Sequence, residues 1–275
     1  MTAIQAIILA IVEGLTEFLP VSSTAHMKFT NPIIGVESTP FSDMMEIVIQ
    51  LAAILAVVVV YYKKFFDFTR VKFYIKLVIA VIPALVFGAL LKKHIDNMLG
   101  NLYIIAGVMI AGGIVFLFVD KWFTTPTIDH ENQVGNGTAF RIGCWQVLSI
   151  LFPGLSRSAS TIIGGMQQGL SRRAAAEFSF FLAVPTMFAA TAHSLFLKHW
   201  TGSGTEKKGY EILMESSANI QAFIIGNIVA FVVALVAIKF FIGYLQKHGF
   251  KWFGWYRVIG GAVLLALVLS GYFES

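Results

Sequence analysis

The sequence predicts an all-α, polytopic membrane protein with two inverted-topology repeats, each made of one re-entrant helical hairpin and three transmembrane helices. Three observations predict this fold. First, 57% of the 275 residues are hydrophobic and 13% are charged, whereas soluble domains are about 45–50% apolar and 25% charged. Second, six apolar runs approach the roughly 20 residues needed to cross a bilayer. Third, two other apolar segments each end at a proline followed by serines.

The six runs define the predicted spans, which are residues 46–62, 71–91, 102–123, 174–197, 220–241 and 253–273. The two interrupted segments cover residues 2–19 and 140–152, and a short amphipathic piece follows each of them. We expect both to form broken hairpins rather than full spans, because non-helical backbone is tolerated in a membrane only where it is buried in protein or lines a cavity.

An internal repeat relates the two hairpins. Glu13 stands seven residues before Pro20, and Gln146 stands seven residues before Pro153, an offset of 133. We therefore expect one domain over residues 1–275, with repeat one at about 1–125 and repeat two at about 138–275. Because three spans per repeat is an odd number, the second repeat must run in the opposite sense. Such architectures bind their substrates where the interrupted helices meet.

Basic residues set the predicted orientation, because cytoplasmic connections are enriched in lysine and arginine. With connections 62–72, 121–141, 171–173 and 239–251 inside, eleven basic residues lie on the inner face. Six lie on the outer face, namely Lys28, Lys92, Lys93, Lys198, Lys207 and Lys208. Both termini and the first hairpin then belong to the outer side, and the second hairpin enters from the cytoplasm.

Composition also excludes several classes of function. The net charge of +5 comes from lysines and arginines that stand singly or in pairs between apolar runs, which argues against a nucleic-acid-binding surface. The single Cys144 excludes an internal disulfide, and the six scattered histidines show no spacing suited to zinc.

Two carboxylates are the first candidates for chemistry. Glu13 and Glu17 are four residues apart in an apolar segment, so a helix would place them on one face. An ionisable residue within a membrane is costly unless it faces a cavity, a partner or an ion, and it therefore indicates a functional site. The alternative is that this helix end lies at the interface and both side chains reach water.

Hydroxyl groups and a histidine follow directly in Pro20-Val-Ser-Ser-Thr-Ala-His26. If a short helix begins here, Ser22 or Ser23 would cap it, and with Thr24 they would line an anion site at its free N–H groups. Beside these hydroxyls and the two glutamates, His26 is a candidate proton carrier, although a histidine alone is more often a packing residue.

The second hairpin supplies positive charge in Pro153-Gly-Leu-Ser-Arg-Ser158. Gly154 allows a tight reversal, while Ser156 and Ser158 can cap the next helix. The planar guanidinium of Arg157 presents donors that match phosphate oxygens. The alternative is that Arg157 only anchors the chain at the membrane interface. Acids beside a phosphate would repel it, and a hard divalent cation, Mg²⁺ or Ca²⁺, resolves the conflict. The combination predicts phosphoryl transfer on a lipid-borne substrate.

These motifs, together with Glu177-Phe-Ser-Phe-Phe-Leu-Ala-Val-Pro185, resemble the bacterial undecaprenyl-pyrophosphate phosphatases, also called bacitracin-resistance proteins, over essentially the whole chain. The resemblance implies an enzyme that hydrolyses undecaprenyl diphosphate to the monophosphate on the outer side of the cytoplasmic (inner) membrane, recycling the lipid carrier of cell-wall synthesis. It assigns the essential glutamates to Glu13 and Glu17, the active-site serine to Ser23, a histidine to His26 and the phosphate-binding arginine to Arg157. The family usually has glycine where this chain has Ala25, Ala52 and Ala159.

The expected mechanism is attack of Ser23 on the terminal phosphorus, with His26 assisting proton movement and water then releasing phosphate. Glu13 and Glu17 would bind the cation, or Glu17 would help with proton transfer. Arg157, Ser22, Thr24, Ser156 and Ser158 would hold phosphate oxygens. Direct attack by water and a histidine nucleophile remain alternatives at this point.

Two other classes compete with an enzyme. A transporter of a small anion, or a flippase of the polyprenyl phosphate carrier, would suit inverted repeats and a midplane arginine equally well. An anion pathway gains nothing from two carboxylates, however, whereas metal-assisted hydrolysis uses them. A structural scaffold would leave the buried polar groups unexplained. The glycine pairs Gly112-Gly113 and Gly260-Gly261 could pack helices within one chain or in a homodimer.

Overall fold

The computed structural model describes residues 1–91, 95, 98–202 and 205–273. In chain order its helices are α1 (Ala3–Thr16), α2 (Ser23–Ile33), α3 (Pro40–Val60), α4 (Tyr62–Phe65), α5 (Val71–Leu90), α6 (Leu102–Trp122), α7 (Asn136–Leu151), α8 (Arg157–Gln167), α9 (Arg172–Ala192), α10 (Gly209–Met214), α11 (Ser217–His248) and α12 (Lys251–Leu269). A 3₁₀ turn (Glu131–Gln133) precedes α7, and a π-helical turn (His193–Leu197) extends α9.

Six helices within the described residues are long and apolar enough to cross a membrane. They are α3, α5, α6, α9, α11 and α12, and they overlap the six predicted spans in order. The prediction of a helical, multi-pass membrane protein is therefore confirmed.

The largest differences from the predicted span boundaries are at two helix ends. The first span begins earlier, at Pro40, because the Thr39 hydroxyl accepts the Ser42 N–H and proline fits the first helical position. The span predicted at 220–241 continues as helix to His248, where Gly249 ends it with a φ of 67°. Polar residues in both extensions lower the local hydropathy, so the apolar pattern alone underestimates the helix length.

The two predicted hairpins are interrupted helices, α1 followed by α2 and α7 followed by α8. The chain breaks around Pro20 and Pro153, and each following helix starts after a serine with positive φ, 73° at Ser22 and 78° at Ser156. Gly154 adopts a φ of 97°, which a residue with a side chain rarely adopts. A Cβ there would lie 2.5 Å from the Ile105 carbonyl oxygen.

Close packing joins each hairpin to the other half of the chain. Helix α1 packs on α11 and α7 packs on α5. Glycines allow these approaches, because a Cβ on Gly14 would lie 2.8 Å from the Ala230 carbonyl oxygen and one on Gly143 would overlap the Ala80 carbonyl. Helices α6 and α12 also pack together, with Gly113 against Gly254. The interleaved halves bring the two hairpin turns to the centre of one helical body.

Aromatic rings fill the core beneath the first turn. Phe18 meets Phe180 edge-to-face with ring centroids 5.2 Å apart, and Phe180 packs against Phe241 at 5.9 Å. All three side chains are fully buried. Because such pairs restrict ring orientation as well as burying apolar area, they fix the end of α1 relative to α9 and α11.

The connection between α6 and α7 is held by ion pairs at one end of the helical body. Glu131 accepts Lys64 Nζ at 2.9 Å and Arg70 Nη2 at 2.9 Å, and Lys76 Nζ donates to the Glu131 carbonyl at 3.2 Å. The predicted inner connections 62–72 and 121–141 therefore contact each other. Of the predicted outer lysines, Lys92 and Lys93 lie outside the described residues.

A small sheet interrupts the otherwise helical structure, and the sequence did not predict it. Strands β1 (His199–Gly202) and β2 (Thr205–Lys208) pair antiparallel, with His199 opposite Lys208. Trp200 is buried beneath the hairpin and donates its indole N–H to the Ser194 carbonyl at 3.0 Å. This contact anchors the loop before α10 to the end of α9.

Candidate active site

A polar cavity of about 50 Å³ lies where the two hairpin turns meet. Its lining comprises Glu17, Ser22, Ser23, Thr24, Gln50, Ser156, Arg157, Ser158 and Met187. All the predicted site residues except Glu13 and His26 are in this lining. A larger cleft of about 470 Å³ lies beside Arg70 and Glu131, but Arg70 and Lys76 in its lining already bond to Glu131. The smaller cavity is therefore the candidate site, because both hairpins contribute to it.

Glu17 is the centre of the cavity. Its Oε2 accepts the Ser23 hydroxyl at 2.6 Å, and its Oε1 accepts Arg157 Nη2 at 2.6 Å. The residue is 7% exposed, so both bonds lie in a region of low dielectric, where charge-assisted hydrogen bonds are strong. A serine hydroxyl that donates to a buried carboxylate has the geometry in which a base could activate a nucleophile.

Arg157 is oriented by the second hairpin and by α9. Its Nη1 donates to the Ser179 carbonyl at 3.1 Å, which leaves Nη2 for Glu17. Its Nε is buried and has no hydrogen-bond acceptor within the described part of the chain. The guanidinium thus retains a donor that a phosphate oxygen could accept.

Glu13 lies one helical turn behind Glu17 and is fully buried. No hydrogen-bond donor among the described residues reaches either of its carboxylate oxygens. Glu17 and Glu46 repel this group electrostatically, whereas Arg157 attracts it. A buried carboxylate with no donor is costly, and either a bound proton or a cation would offset this cost.

Two helices begin at the cavity. The Ser22 hydroxyl accepts the Ala25 N–H at 3.3 Å, and the Ser156 hydroxyl accepts the Ala159 N–H at 3.3 Å. Capping is therefore confirmed for Ser22 and Ser156, whereas Ser158 does not cap α8. Ser156 and Ser158 also bond to each other at 2.9 Å. The first N–H groups of α2 and α8 carry partial positive charge at the cavity, as in many phosphate sites.

Three alanines stand at positions where the resemblance predicts glycine. Ala25, Ala52 and Ala159 are buried within α2, α3 and α8, and none lines the cavity. Among the described residues, Ser22 and Ser156 are the only non-glycine positions with positive φ. The methyl groups therefore pack in the core rather than against the site.

His26 faces away from this lining. Its Nδ1 lies 2.7 Å from the Ser22 carbonyl oxygen, and its Nε2 lies 2.6 Å from the Tyr256 hydroxyl. The two rings are nearly parallel, with an interplanar angle of 8°. Both ring nitrogens are thus occupied, and neither contacts Ser23.

Sequence reasoning missed several residues that build the site. Gln50 lines the cavity from α3, and the Ser179 backbone carbonyl orients Arg157. Arg257, in α12, donates to backbone carbonyls of both hairpin turns. A lone arginine inside the predicted span 253–273 was the available signal for Arg257, whereas no sequence pattern distinguishes a backbone acceptor such as Ser179.

Comparison with known proteins identifies the family. The family model described as "Bacitracin resistance protein BacA" matches residues 6–263. An undecaprenyl-diphosphatase of Porphyromonas gingivalis is 49% identical over 98% of this chain and 98% of its own length. An undecaprenyl-diphosphatase of Flavobacterium johnsoniae is 47% identical over 97% of this chain and 96% of its own length. One of Bdellovibrio bacteriovorus is 39% identical over 99% of this chain and 98% of its own length. The family model covers both turns and all but the two ends of the helical body, and the chain belongs to the BacA bacitracin-resistance protein family.

Proposed function

We propose that the protein is an undecaprenyl-diphosphatase, which hydrolyses undecaprenyl diphosphate to undecaprenyl phosphate and inorganic phosphate. The observation that carries this proposal is the contact of Glu17 with both Ser23 and Arg157. It joins a nucleophile, a base and a phosphate-binding cation at the meeting point of two hairpins. The names and full-length similarity of the relatives support the same reaction.

Ser23 is the proposed nucleophile. Glu17 would take the Ser23 hydroxyl proton as Oγ forms a bond to the terminal phosphorus, and the bond from that phosphorus to the bridging oxygen would break. Undecaprenyl phosphate would leave as an anion. Water would then attack the phosphoserine as the bond from phosphorus to Oγ breaks. Glu17 would return its proton to Oγ, and both protons of the attacking water would leave with inorganic phosphate.

Arg157 and the two helix N-termini are the proposed phosphate-binding groups. Arg157 would exchange its bond with Glu17 for phosphate oxygens, and its free Nε would add a second donor. Ser22, Thr24, Ser156 and Ser158 surround the same space. The prenyl chain would remain in the lipid, since Met187 is the one apolar side chain among the described residues that line this cavity.

Glu13 and Glu17 are the residues that would hold a divalent cation, Mg²⁺ or Ca²⁺. The two buried Glu13 oxygens without a donor fit this role. The described residues contain no cluster of three or more His, Cys, Asp or Glu that could hold a metal alone, so substrate oxygens and water would complete the shell, as is common for Mg²⁺. When bound, the cation would neutralise part of the phosphate charge.

The inverted repeat is also part of the proposal. Its support is the reciprocal packing, in which α1 of the first half packs on α11 and α7 of the second half packs on α5. The capping serines with positive φ at equivalent turns, Ser22 and Ser156, agree with it. Together with the basic inner connections, this arrangement supports hairpins entering from opposite sides of the bacterial inner membrane, with the site open to the outer side.

Phosphate release from a polyprenyl diphosphate by detergent-purified protein tests the function. We expect release with Mg²⁺ or Ca²⁺ and loss of release in a chelator, restored when the cation is added back. No release with either cation would contradict hydrolysis and favour transport of an anion or of the lipid carrier. Release that a chelator does not affect would keep the enzyme and contradict the cation site.

A further inference from the structure

We propose that Arg257 is a positioning residue for this reaction, which ties the two hairpin turns together and holds Ser23 and Arg157 at the cavity. The inference rests on the proposed function for its kinetic consequences. Its structural core, the coupling of the two turns through one side chain, stands independently of the reaction.

The contacts of Arg257 join segments that are far apart in the chain. Nη1 donates to the Pro20 carbonyl and to the Leu155 carbonyl, both at 2.9 Å, and Nη2 donates to the Gly154 carbonyl at 3.0 Å. A longer bond of 3.3 Å runs from Nε to the Met109 carbonyl on α6. One guanidinium therefore bonds to the first turn, the second turn and a membrane-spanning helix.

The side chain is fully buried, and its acceptors are backbone carbonyls. No carboxylate pairs with it within the described ranges of the chain. A buried charge is retained in a membrane protein only where its hydrogen bonds are satisfied or where it serves a function. Leucine would pack in an apolar helix at lower cost, so the arginine indicates a requirement for several donors at this point.

The opposite helix is shaped to admit the guanidinium. Gly112 on α6 faces it so closely that an added Cβ would overlap Nη2 and lie 3.0 Å from Cζ. Gly113 faces the stem of the same side chain, where a Cβ would lie 2.8 Å from the Arg257 Cβ. Two adjacent glycines thus provide the space through which the Arg257 guanidinium reaches both turns.

The bonded carbonyls lie beside the strained positions of the turns. Leu155 immediately precedes Ser156, and Pro20 stands two residues before Ser22, the two serines with positive φ. Such conformations persist only when surrounding contacts determine them. Because a trans peptide directs C=O and N–H to opposite sides, the Leu155–Arg257 bond also turns the Ser156 N–H away from Arg257. Arg257 thereby fixes the residues from which α2 and α8 start.

Replacing Arg257 by glutamine and by lysine tests the coupling directly. We expect hydrogen exchange, followed by mass spectrometry, to rise at residues 20–24 and 154–158 in R257Q, while the membrane-spanning helices keep their protection. With undecaprenyl diphosphate, kcat should fall about 100-fold at nearly constant KM, since small displacements of reacting groups have effects of this size. R257K should recover part of kcat. Exchange that is unchanged at both turns, or raised equally in all helices, would refute the proposal.

A smaller change covers the case in which R257Q does not fold. Gly112→Ala crowds the guanidinium, whereas Gly107→Ala on the same helix adds a methyl group where nothing lies within 4 Å. We expect G112A to lose about tenfold in kcat and to raise exchange at the two turns, while G107A matches the unmodified protein in both measurements. Equal behaviour of the two variants would refute the proposal. If the unmodified protein releases no phosphate but the exchange pattern holds, the proposed reaction fails and the coupling stands.

Discussion

Arg157 and Glu17 are 140 positions apart in the chain, yet Nη2 of the arginine lies 2.6 Å from Oε1 of the glutamate. The arginine begins the second helix of one hairpin, and the glutamate follows the first helix of the other. Since the second oxygen of Glu17 accepts the Ser23 hydroxyl, a single carboxylate organises the meeting point of the two halves.

Replacing Glu17 by glutamine should separate its charge from its shape. The amide has nearly the same volume but cannot accept a proton from Ser23, so we expect kcat to fall about 100- to 1,000-fold. Arg157 keeps its bond to the Ser179 carbonyl, so the fold should be retained. Phosphate-release assays measure the effect, with Glu215→Gln, which alters an exposed ion pair with Lys207, as the matched control. Turnover within threefold of the unmodified protein would rule out Glu17 as the base.

Ser23→Ala removes the proposed nucleophile and leaves its surroundings in place. We expect a loss of at least about 1,000-fold in kcat, because the substitution removes the hydroxyl that bonds to Glu17. Ser149→Ala is the control, since that hydroxyl donates to the Gln146 carbonyl of its own helix and to no other group in the described part of the chain. Near-normal turnover in S23A would contradict a serine nucleophile.

The contact between His26 and Tyr256 predicts a graded effect of two substitutions. Tyr256→Phe removes one hydrogen bond but keeps the parallel ring contact, so kcat should fall less than tenfold by the usual worth of one neutral bond, about 0.5–1.5 kcal/mol. His26→Gln should cost more, yet leave turnover clearly above that of S23A. An inactive H26Q with an intact fold would instead favour a histidine nucleophile.

Glu131 predicts how stability depends on pH. Burial raises the pKa of its carboxyl, but the hydrogen bonds from Arg70 and Lys64 outweigh it and hold the pKa below the ordinary value of 4.5. A lowered folded-state pKa contributes stability that is present above the unfolded value and is lost as pH falls through the folded value. Glu131→Gln should therefore lower the unfolding temperature in detergent at pH 7 by a few degrees, for a loss of about 1–2 kcal/mol. The difference from the unmodified protein should shrink below pH 4.5, and a difference that grows on acidification would contradict this assignment.

Cysteine labelling tests the orientation. With the exposed Cys144 replaced by serine, a single cysteine at Lys207 in β2 should react with an impermeant thiol reagent added to intact cells. A cysteine at Thr69, beside the ion pairs of the α6–α7 connection, should react only after lysis. The reverse pattern would invert the proposed topology.

Much of the fold could be predicted because membrane burial imposes a simple pattern. Long apolar runs locate α5, α6 and α12 to within a few residues, and Pro20 and Pro153 mark both interruptions. Helix ends that are set by a capping residue, such as Thr39 before α3, cannot be located from the hydropathy of the sequence. The β-hairpin was missed because its stability comes from Trp200 anchored on Ser194, a contact that short strands of mixed composition do not reveal.

For the candidate site, the residue types could be predicted from the sequence, but the groups that each side chain contacts could not. Glu13, Glu17 and Arg157 stand out because charge within apolar sequence is costly. His26 shares a motif with Ser23, yet its ring points to Tyr256, which lies 230 residues further along the chain. Arg257 resembles an ordinary interfacial anchor until its acceptors from three distant segments are brought together by the fold.

The bond between Arg157 and Glu17 has a consequence for inhibition. Because Nη2 of the arginine already bonds to the carboxylate, a substrate phosphate has to replace that partner before it can use the same donor. Part of the binding free energy of the substrate is therefore spent on breaking a buried ion pair. A compound that strengthened the contact between these two side chains would weaken substrate binding without imitating any phosphate.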